Sequence, residues 1–573
     1  SDAPSRRDLC LAAAAAAPMD ESFGRILASL LLVRWAAALV SNITDCDETY
    51  NFWEPTHYAL FGSGWQTWEY SPTHALRSAL YIFDHAAFGW IARVAGASRP
   101  AVFYCIRLAL GAKSAGCEAM LVWSVRQSFG RALALWTWLF LISSAGMFHA
   151  AVSYLPSSGV MYLVALCWAF WAPSREQPAA AVLCVAAAVV LCWPFAALLG
   201  APLALELLLS RAHGPARFCS YALRAALAIT PPVLLADRVW YGRWTLSTLN
   251  VLAYNLLPKG VGSELYGTEP ASFYAKDLAL NLNLALPLAA LALPLLCAAP
   301  HLAAPMAAPA ARRLRLMVAA AWLWVGFFSL LPHKEERFMF PAYPPLCLAA
   351  AVGADALVQL LARLLRPPKR SASAVLVLSL LLGGSSAVLS AARVGAIVTY
   401  YAAPLRLFGE ISRPGGLPAP DPRARVSPPP PGVGTRCDAP LRLCVGAEWY
   451  RFPASFLLPE QTCLSFVRSE FRGILPQPFA AHNGTHALPL HMNELNREEP
   501  SRYVPTSACH YLLTLEGSDE ARALSRGAQW ETALRAPMID AARSPTLTRA
   551  LWIPWLSARK NAYGSLALMK RVG

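Results

Sequence analysis

The chain has 573 residues, 56% of them hydrophobic and 14% charged, with a mean hydropathy of +0.40. Soluble chains carry about 25% charged residues, so this composition excludes an ordinary soluble globular protein and points to a membrane protein. The formal net charge of +15 comes with no zinc-finger, helicase or RNA-binding signature, so no nucleic-acid partner is expected and membrane topology is the first explanation for the basic excess.

In chain order, residues 1–21 are Ala-rich with Arg6 and Arg7 and read as a disordered tail. Ile26–Ile43 is apolar apart from Arg34 and lacks an obvious small-residue cleavage site, so it reads as a retained first membrane helix. Ten more apolar runs follow: Leu76–Val94, Ala101–Val125, Ala132–Met147, Pro156–Ala172, Ala179–Leu199, Phe218–Ala236, Leu278–Ala299, Leu316–Leu331, Met339–Leu361 and Ala374–Tyr400. At bilayer length these make about eleven spans. Ala101–Val125 is the weakest, because it carries Arg107, Lys113 and Glu118. Gly146–Ser158 reads as a helix break, with His149 structural.

The basic residues set the orientation. With the first tail cytoplasmic, the loops near Arg93 and Arg99, Arg211 and Arg217, Arg312–Arg315 and Arg363–Arg370 obey the rule; Arg126, Arg131 and Arg175 are exceptions. Loops 42–75, 239–277 and 332–338, and everything after Tyr401, then face the other side. Asn42-Ile43-Thr44 and Asn483-Gly484-Thr485, which fall there, are glycosylation acceptors by pattern, Asn42 hugging the membrane. Residues 401–435 form a Pro-rich linker that contains Pro428–Pro431. Residues 436–573 are soluble in composition and read as a small lumenal α/β domain with strands at Leu441–Val445, His510–Leu515 and Ser565–Met569. Of 14 cysteines, none in a CxxC pair, Cys437, Cys444, Cys463 and Cys509 lie in this tail and could make two disulfides in an oxidising lumen.

Three stretches carry chemistry. Asp45-Cys46-Asp47-Glu48 through Glu54, His57 and Tyr58 crowds carboxylates, a histidine and aromatics into one loop that continues to Trp68 and Pro72. Clustered carboxylates repel each other and are expensive near lipid, so this is a candidate for a catalytic base over the bilayer surface; a solvated acidic loop with interfacial aromatics is the plainer reading. His333-Lys334-Glu335-Glu336-Arg337 sits between two apolar runs, bracketed by Pro332 and Pro341. If helical, it aligns Lys334 and His333 with Arg337 as a face for a lipid phosphate, with Glu335 and Glu336 orienting the cations. An ordinary solvated turn with internal ion pairs is the competing reading. The long loop Trp240–Tyr274 alternates glycine, aromatics and polar groups, as a sugar platform or an interfacial loop would. No metal-ligand cluster is evident, so neither metal nor cofactor is expected.

Asp45–Tyr58, Gln66–Pro72, Tyr266–Pro270 and His333–Tyr343 together resemble glycosyltransferase family 22, the endoplasmic-reticulum mannosyltransferases that use dolichyl-phosphate mannose and have the GT-C fold. The tail stretches Glu448–Pro453, Glu470–Gly473 and Glu499–Tyr503 resemble the α-1,2-mannosyltransferases of asparagine-linked glycosylation. The resemblance implies a multi-pass endoplasmic-reticulum enzyme that adds mannose, with inversion, to dolichyl-diphosphate oligosaccharides (Man6GlcNAc2 and Man8GlcNAc2). It implies Asp47 as the base, with Glu48 and Asp45 next in order. By the same likeness His333, Lys334 and Arg337 take the donor phosphate, and Glu54, His57, Trp68, Tyr266 and Glu269 position sugars. A GPI-anchor mannosyltransferase of the same family is one alternative. A non-enzymatic lipid or sugar transporter is another, though no internal repeat supports it.

Overall fold

The computed structural model describes residues 21–257, 263–298, 308–365, 368–428, 439–480, 483–487, 491–524 and 529–572. The Ala-rich start, Pro429–Pro431 of the linker and Cys437 lie outside the described residues. The chain divides into two compact units. The first takes Ser1–Ala38, Leu110–Val233 and Tyr266–Val394; the second takes Leu39–Ala109, Leu234–Leu265 and Gly395–Gly573.

Among the described residues most of each apolar run lies on helix; Ala132–Met147 is interrupted at Ser144, between Arg131–Ser143 and Ala145–Ala150, and two more runs are broken. Pro194 forces Trp193 into an extended conformation (φ −152°, ψ 119°), which ends the helix and π-turn begun at Pro178 and starts a new helix at Ala197. Asn283 breaks the second: Phe273–Leu282 and Ala285–Ala298 meet at 106°. Asn283 sits at φ +44°, a conformation asparagine tolerates better than most residues. Its side chain fastens the corner, donating to Ser390 Oγ at 2.6 Å and accepting from Ser386 Oγ at 2.9 Å. By length and composition, five described helices can cross a bilayer: Glu21–Val40, Gly214–Tyr241, Ala308–Leu330, Glu336–Leu364 and Ser373–Tyr400. The bent pair makes six if it counts as one span. The other runs form shorter or more charged helices, so the expected eleven full-length spans are not all of bilayer length.

In the first unit the one charge inside the first apolar run finds its partner in the most charged run. Arg34 is fully buried and grips Glu118 with Nε at 2.9 Å and Nη2 at 2.6 Å, while Nη2 also donates to the Leu141 carbonyl at 2.6 Å. Ser114 Oγ donates to Glu118 at 2.7 Å. These bonds tie Glu21–Val40, Arg99–Phe129 and Arg131–Ser143 together where water cannot satisfy them. Gly353 lets Tyr343–Leu364 ride against Ala285–Ala298: a Cβ there would stand 2.1 Å from the Leu288 carbonyl oxygen. The break expected in Gly146–Ser158 lies between the helices Ala145–Ala150 and Pro156–Trp171, and His149 is buried there beside Phe340.

The second unit carries the acidic loop and a five-stranded sheet. The strands are β1 (Leu441–Val445), β2 (Thr462–Phe466), β3 (Tyr511–Leu515), β4 (Gln529–Ile539) and β5 (Tyr563–Val572), in the order β2-β1-β3-β5-β4. β1 pairs in parallel with β2 and β3, and β5 pairs antiparallel with β3 and β4. The expected strands are present; β2 and β4 are additional, and short 3₁₀ turns and helices complete an α/β tail. Cys444 and Cys509 are joined by a disulfide across the buried sheet, and Cys463 is also disulfide-bonded.

Candidate active site

The acidic loop is built for rigidity. Asp45 is extended (φ −115°, ψ 121°) and caps the turn Cys46–Glu48 by accepting from the Asp47 N–H at 2.9 Å. A π-turn, Thr49–Trp53, runs straight into the helix Glu54–Phe61, which Gly62 closes in the left-handed region at φ +75°. All five π-turn side chains are buried. Thr49 Oγ1 donates to the Phe452 and Pro453 carbonyls at 3.1 Å each, and Tyr50 Oη donates to the Trp449 carbonyl at 2.9 Å. The tail stretch Glu448–Pro453 therefore holds the acidic loop through its own backbone. Thr67 Oγ1 donates to Asn51 Oδ1 at 2.5 Å, and Tyr70 Oη donates to the Asn51 carbonyl at 2.6 Å.

This frame separates the three acidic candidates. Asp45 serves as a cap. Glu48 is 2% exposed and accepts from Trp53 Nε1 at 3.1 Å. Asp47 stands half-buried in the first turn. Ligand atoms of Asp45, Cys46 and Asp47 lie within 4.8 Å of one another, a grouping able to approach a cation. A thiol between two carboxylates mixes soft and hard donors, which suits no hard divalent ion well.

Glu54 and His57, expected to position sugars, are both buried, with the Glu54 carboxylate and His57 Nδ1 turned to protein partners. Glu54 is fully buried and accepts from the Ser455 N–H at 2.7 Å, Ser455 Oγ at 2.8 Å and the Trp65 N–H at 3.2 Å. Burial raises its pKa to about 7 against those three donors. His57 is 1% exposed with Nδ1 2.5 Å from the Ser63 carbonyl, and burial lowers its pKa to about 3. Trp68 is buried too, its ring 5.1 Å from His74 and 5.4 Å from Tyr254. Asn42 is 6% exposed and has no surface on which to carry a glycan, whereas Asn483 is exposed in a turn at φ +50°.

In the first unit, two stretches far apart in sequence come together. Lys334 is 6% exposed; its Nζ donates to the Glu269 carbonyl at 2.9 Å and to the Leu331 carbonyl. The Glu269 N–H donates to the Pro332 carbonyl at 3.0 Å, and the ring of Tyr266 lies 6.3 Å from that of His333. Of the two readings of this stretch, the helical one does not hold for His333–Glu335: Glu335 is extended (φ −136°, ψ 149°) and the 3₁₀ turn begins only at Glu336. Lys334 folding back onto two carbonyls keeps the chain open there. Glu335 does orient the cations, taking His333 Nε2 at 3.0 Å and pairing with Arg337. His333 Nδ1 faces the Gly267 carbonyl at 2.9 Å. The Glu335 hydrogen bond raises the His333 pKa above the ordinary histidine value, against partial burial.

Below this turn is a polar layer the sequence did not disclose. Tyr274 Oη donates to the Glu335 carbonyl at 3.2 Å. Asn281 Nδ2 reaches Asp277 Oδ1 at 2.8 Å, Glu336 Oε1 at 2.9 Å and Tyr343 Oη at 3.2 Å. Asn281 follows Asp277 by four residues, one helical turn, the only sequence signal that pairs them.

Three comparisons bear on these elements. The profile of the Alg9-like mannosyltransferase family matches residues 25–459. The chain is 39% identical over 550 residues to the mouse (Mus musculus) alpha-1,2-mannosyltransferase ALG9, covering 94% of this chain and 87% of the relative. It is 36% identical over 564 residues to alpha-1,2-mannosyltransferase alg9 of Schizosaccharomyces pombe, covering 95% and 94%. Among solved structures, ArnT from Cupriavidus metallidurans in the apo state superposes with a TM-score of 0.53 at 14% identity, covering 94% of this chain and 97% of ArnT. That likeness is one of fold and agrees with the GT-C architecture expected from sequence.

Proposed function

The chain belongs to the Alg9-like mannosyltransferase family and is an α-1,2-mannosyltransferase of the lipid-linked oligosaccharide route to N-glycans; from that premise we propose its donor, acceptor and base. The donor is dolichyl-phosphate mannose. The acceptors are Man6GlcNAc2- and Man8GlcNAc2-diphosphodolichol. Asp47 takes the proton from the acceptor's 2-hydroxyl as that oxygen bonds to the anomeric carbon. The bond from that carbon to the phosphate oxygen breaks on the opposite face, so a β-linked donor gives an α-linked product. The departing lipid phosphate gathers negative charge, which His333 and Arg337 stabilise, so no metal is required, while Lys334, expected to share that role, holds the turn in shape through the Glu269 and Leu331 carbonyls. Tyr266, 43% exposed, and the exposed Glu269 border that turn and are the sugar-positioning candidates that keep an accessible surface.

The observation that carries the reading is the division of roles in the acidic loop. Asp45 caps the turn, Glu48 is buried and accepts from Trp53 Nε1, and Asp47 stands half-buried in the first turn of the same rigid loop. The eleven apolar runs are read as crossings of the endoplasmic-reticulum membrane, with the acidic loop and the sheet domain on the lumenal side. The Cys444–Cys509 disulfide supports an oxidising compartment for that domain.

Purified protein in lipid, labelled dolichyl-phosphate mannose and the Man6GlcNAc2 lipid test the proposal. Transfer to that acceptor, with none to a GPI precursor offered beside it, is expected. Transfer to the GPI precursor alone would contradict the acceptor assignment.

A further inference from the structure

The segment Leu547–Lys560 is inverted relative to an ordinary surface loop. Its hydroxyl side chains point inward, with the amide of the next residue: Thr548 and Ser557 are 4% and 2% exposed, and Asn561 8%. Thr548 Oγ1 donates to Asn561 Oδ1 at 2.6 Å, Asn561 Nδ2 donates to the Thr548 carbonyl at 3.0 Å, and Ser557 Oγ accepts from the Ile553 N–H at 2.9 Å. Its large apolar side chains point outward: Leu547 is 61% exposed, Trp552 43% and Trp555 82%. Soluble surfaces expose single apolar residues routinely, but a rigid loop that buries its hydroxyls and displays two tryptophans beside two leucines is a docking feature.

The backbone supports the display. Trp555 adopts φ +61° and ψ −39° while the Leu556 N–H bonds to the Pro554 carbonyl at 2.7 Å, a γ-turn with a positive central φ. For a bulky residue this conformation costs on the order of 1–3 kcal/mol and persists only where the surroundings fix it. Arg559 and Lys560, both exposed, follow on the next turn.

What covers the patch follows from what lies beside it. A Cβ on Gly395 would stand 3.1 Å from Trp552 Cβ, and the rings of Tyr400 and Tyr563 are 6.1 Å apart. Both Gly395 and Tyr400 belong to the end of the apolar span Ser373–Tyr400, 28 residues long. At about 1.5 Å per residue that span measures about 42 Å against a hydrocarbon core of about 30 Å, so roughly four residues at each end overshoot the core. Gly395, five residues from the end, therefore lies at the boundary where tryptophan is enriched and arginine and lysine reach headgroups.

We propose that Leu547–Lys560 is a membrane-interface anchor: Trp552, Trp555 and their leucine neighbours enter the leaflet nearest Tyr400, and Arg559 and Lys560 meet anionic headgroups there. The proposal is independent of the donor, the acceptor and the catalytic base.

The test uses the full chain in phospholipid nanodiscs, with exposed Cys219 and Cys297 changed to Ser and Trp555→Cys carrying a fluorescent label. Doxyl-labelled lipid is expected to lower the label's emission about twofold or more, while aqueous iodide quenches it far less than the same label on a free thiol. Should the labelled protein transfer no mannose, the same measurement is read at Leu547→Cys. Iodide quenching equal to the free-thiol control, with no effect of doxyl lipid, would overturn the proposal.

Discussion

Glu335 is the residue on which the cationic turn depends. It accepts from His333 and pairs with Arg337, while the Gly267 carbonyl takes the other ring nitrogen of His333. Two acceptors on one imidazole require two N–H groups, which is the imidazolium form. The cation is held below the raised His333 pKa and lost as pH rises through it. In a pH series of kcat/KM for dolichyl-phosphate mannose, the wild type should fall on the alkaline side above pH 6.5. His333→Gln should start about tenfold lower and lack that limb, the scale of one charge-assisted contact. Glu54 gives a stability prediction of definite sign. Its carboxyl is protonated in both folded and unfolded chains below pH 4.5, and above about pH 7 the fold must bury it charged. The wild type should therefore lose stability relative to Glu54→Gln as pH rises from 4.5 to about 7, measured as the difference in thermal unfolding midpoint. A difference that is flat or rises with pH would contradict the buried-acid reading.

At the scale of elements, the Arg34–Glu118 pair is what lets a charged run serve as a helix among apolar ones. Removing one partner leaves the other buried and unpaired, so Glu118→Gln or Arg34→Met should each cost about 3–5 kcal/mol, and the double apolar variant much less than their sum. Thermal unfolding of the four proteins in one detergent checks this. The apolar runs made the helices legible, because bilayer-length hydrophobicity needs no tertiary information. The breaks were less so. Pro194 carries a known local signal, but Asn283 is a corner only because Ser386 and Ser390 arrive from a helix a hundred residues on. Among the strands, β4 went unread because Glu531, Arg535 and Pro537 break up its pattern, and its pairing with β5 decides the matter. In the candidate site, the residue types of the acidic loop and the cationic turn were visible. Their fates were not: Glu54, His57 and Lys334 turned inward because Ser455, Ser63 and Glu269, distant or unremarkable in sequence, supply their partners.

At the scale of the whole molecule, a mostly apolar chain ends in a soluble tail, and that tail holds the acidic loop. The carbonyls of Trp449, Phe452 and Pro453 and the Ser455 amide are the fastenings. Loss of the sheet is therefore expected to loosen these fastenings and, with them, the acidic loop. The Cys444–Cys509 bond closes 65 residues, a loop for which the chain-entropy estimate is about 4 kcal/mol. Cys509→Ser should lower the unfolding midpoint and mannosyl transfer together, and a variant that unfolds early but transfers at the full rate would separate the tail from the site. The central claim is that Asp47 is the proton acceptor. Its most direct test is single-turnover transfer of labelled mannose from dolichyl-phosphate mannose to the Man6GlcNAc2 lipid by Asp47→Asn, with donor affinity measured alongside. The account predicts a loss of about 10²–10⁴-fold in rate with donor affinity retained. Transfer at the wild-type rate would contradict it.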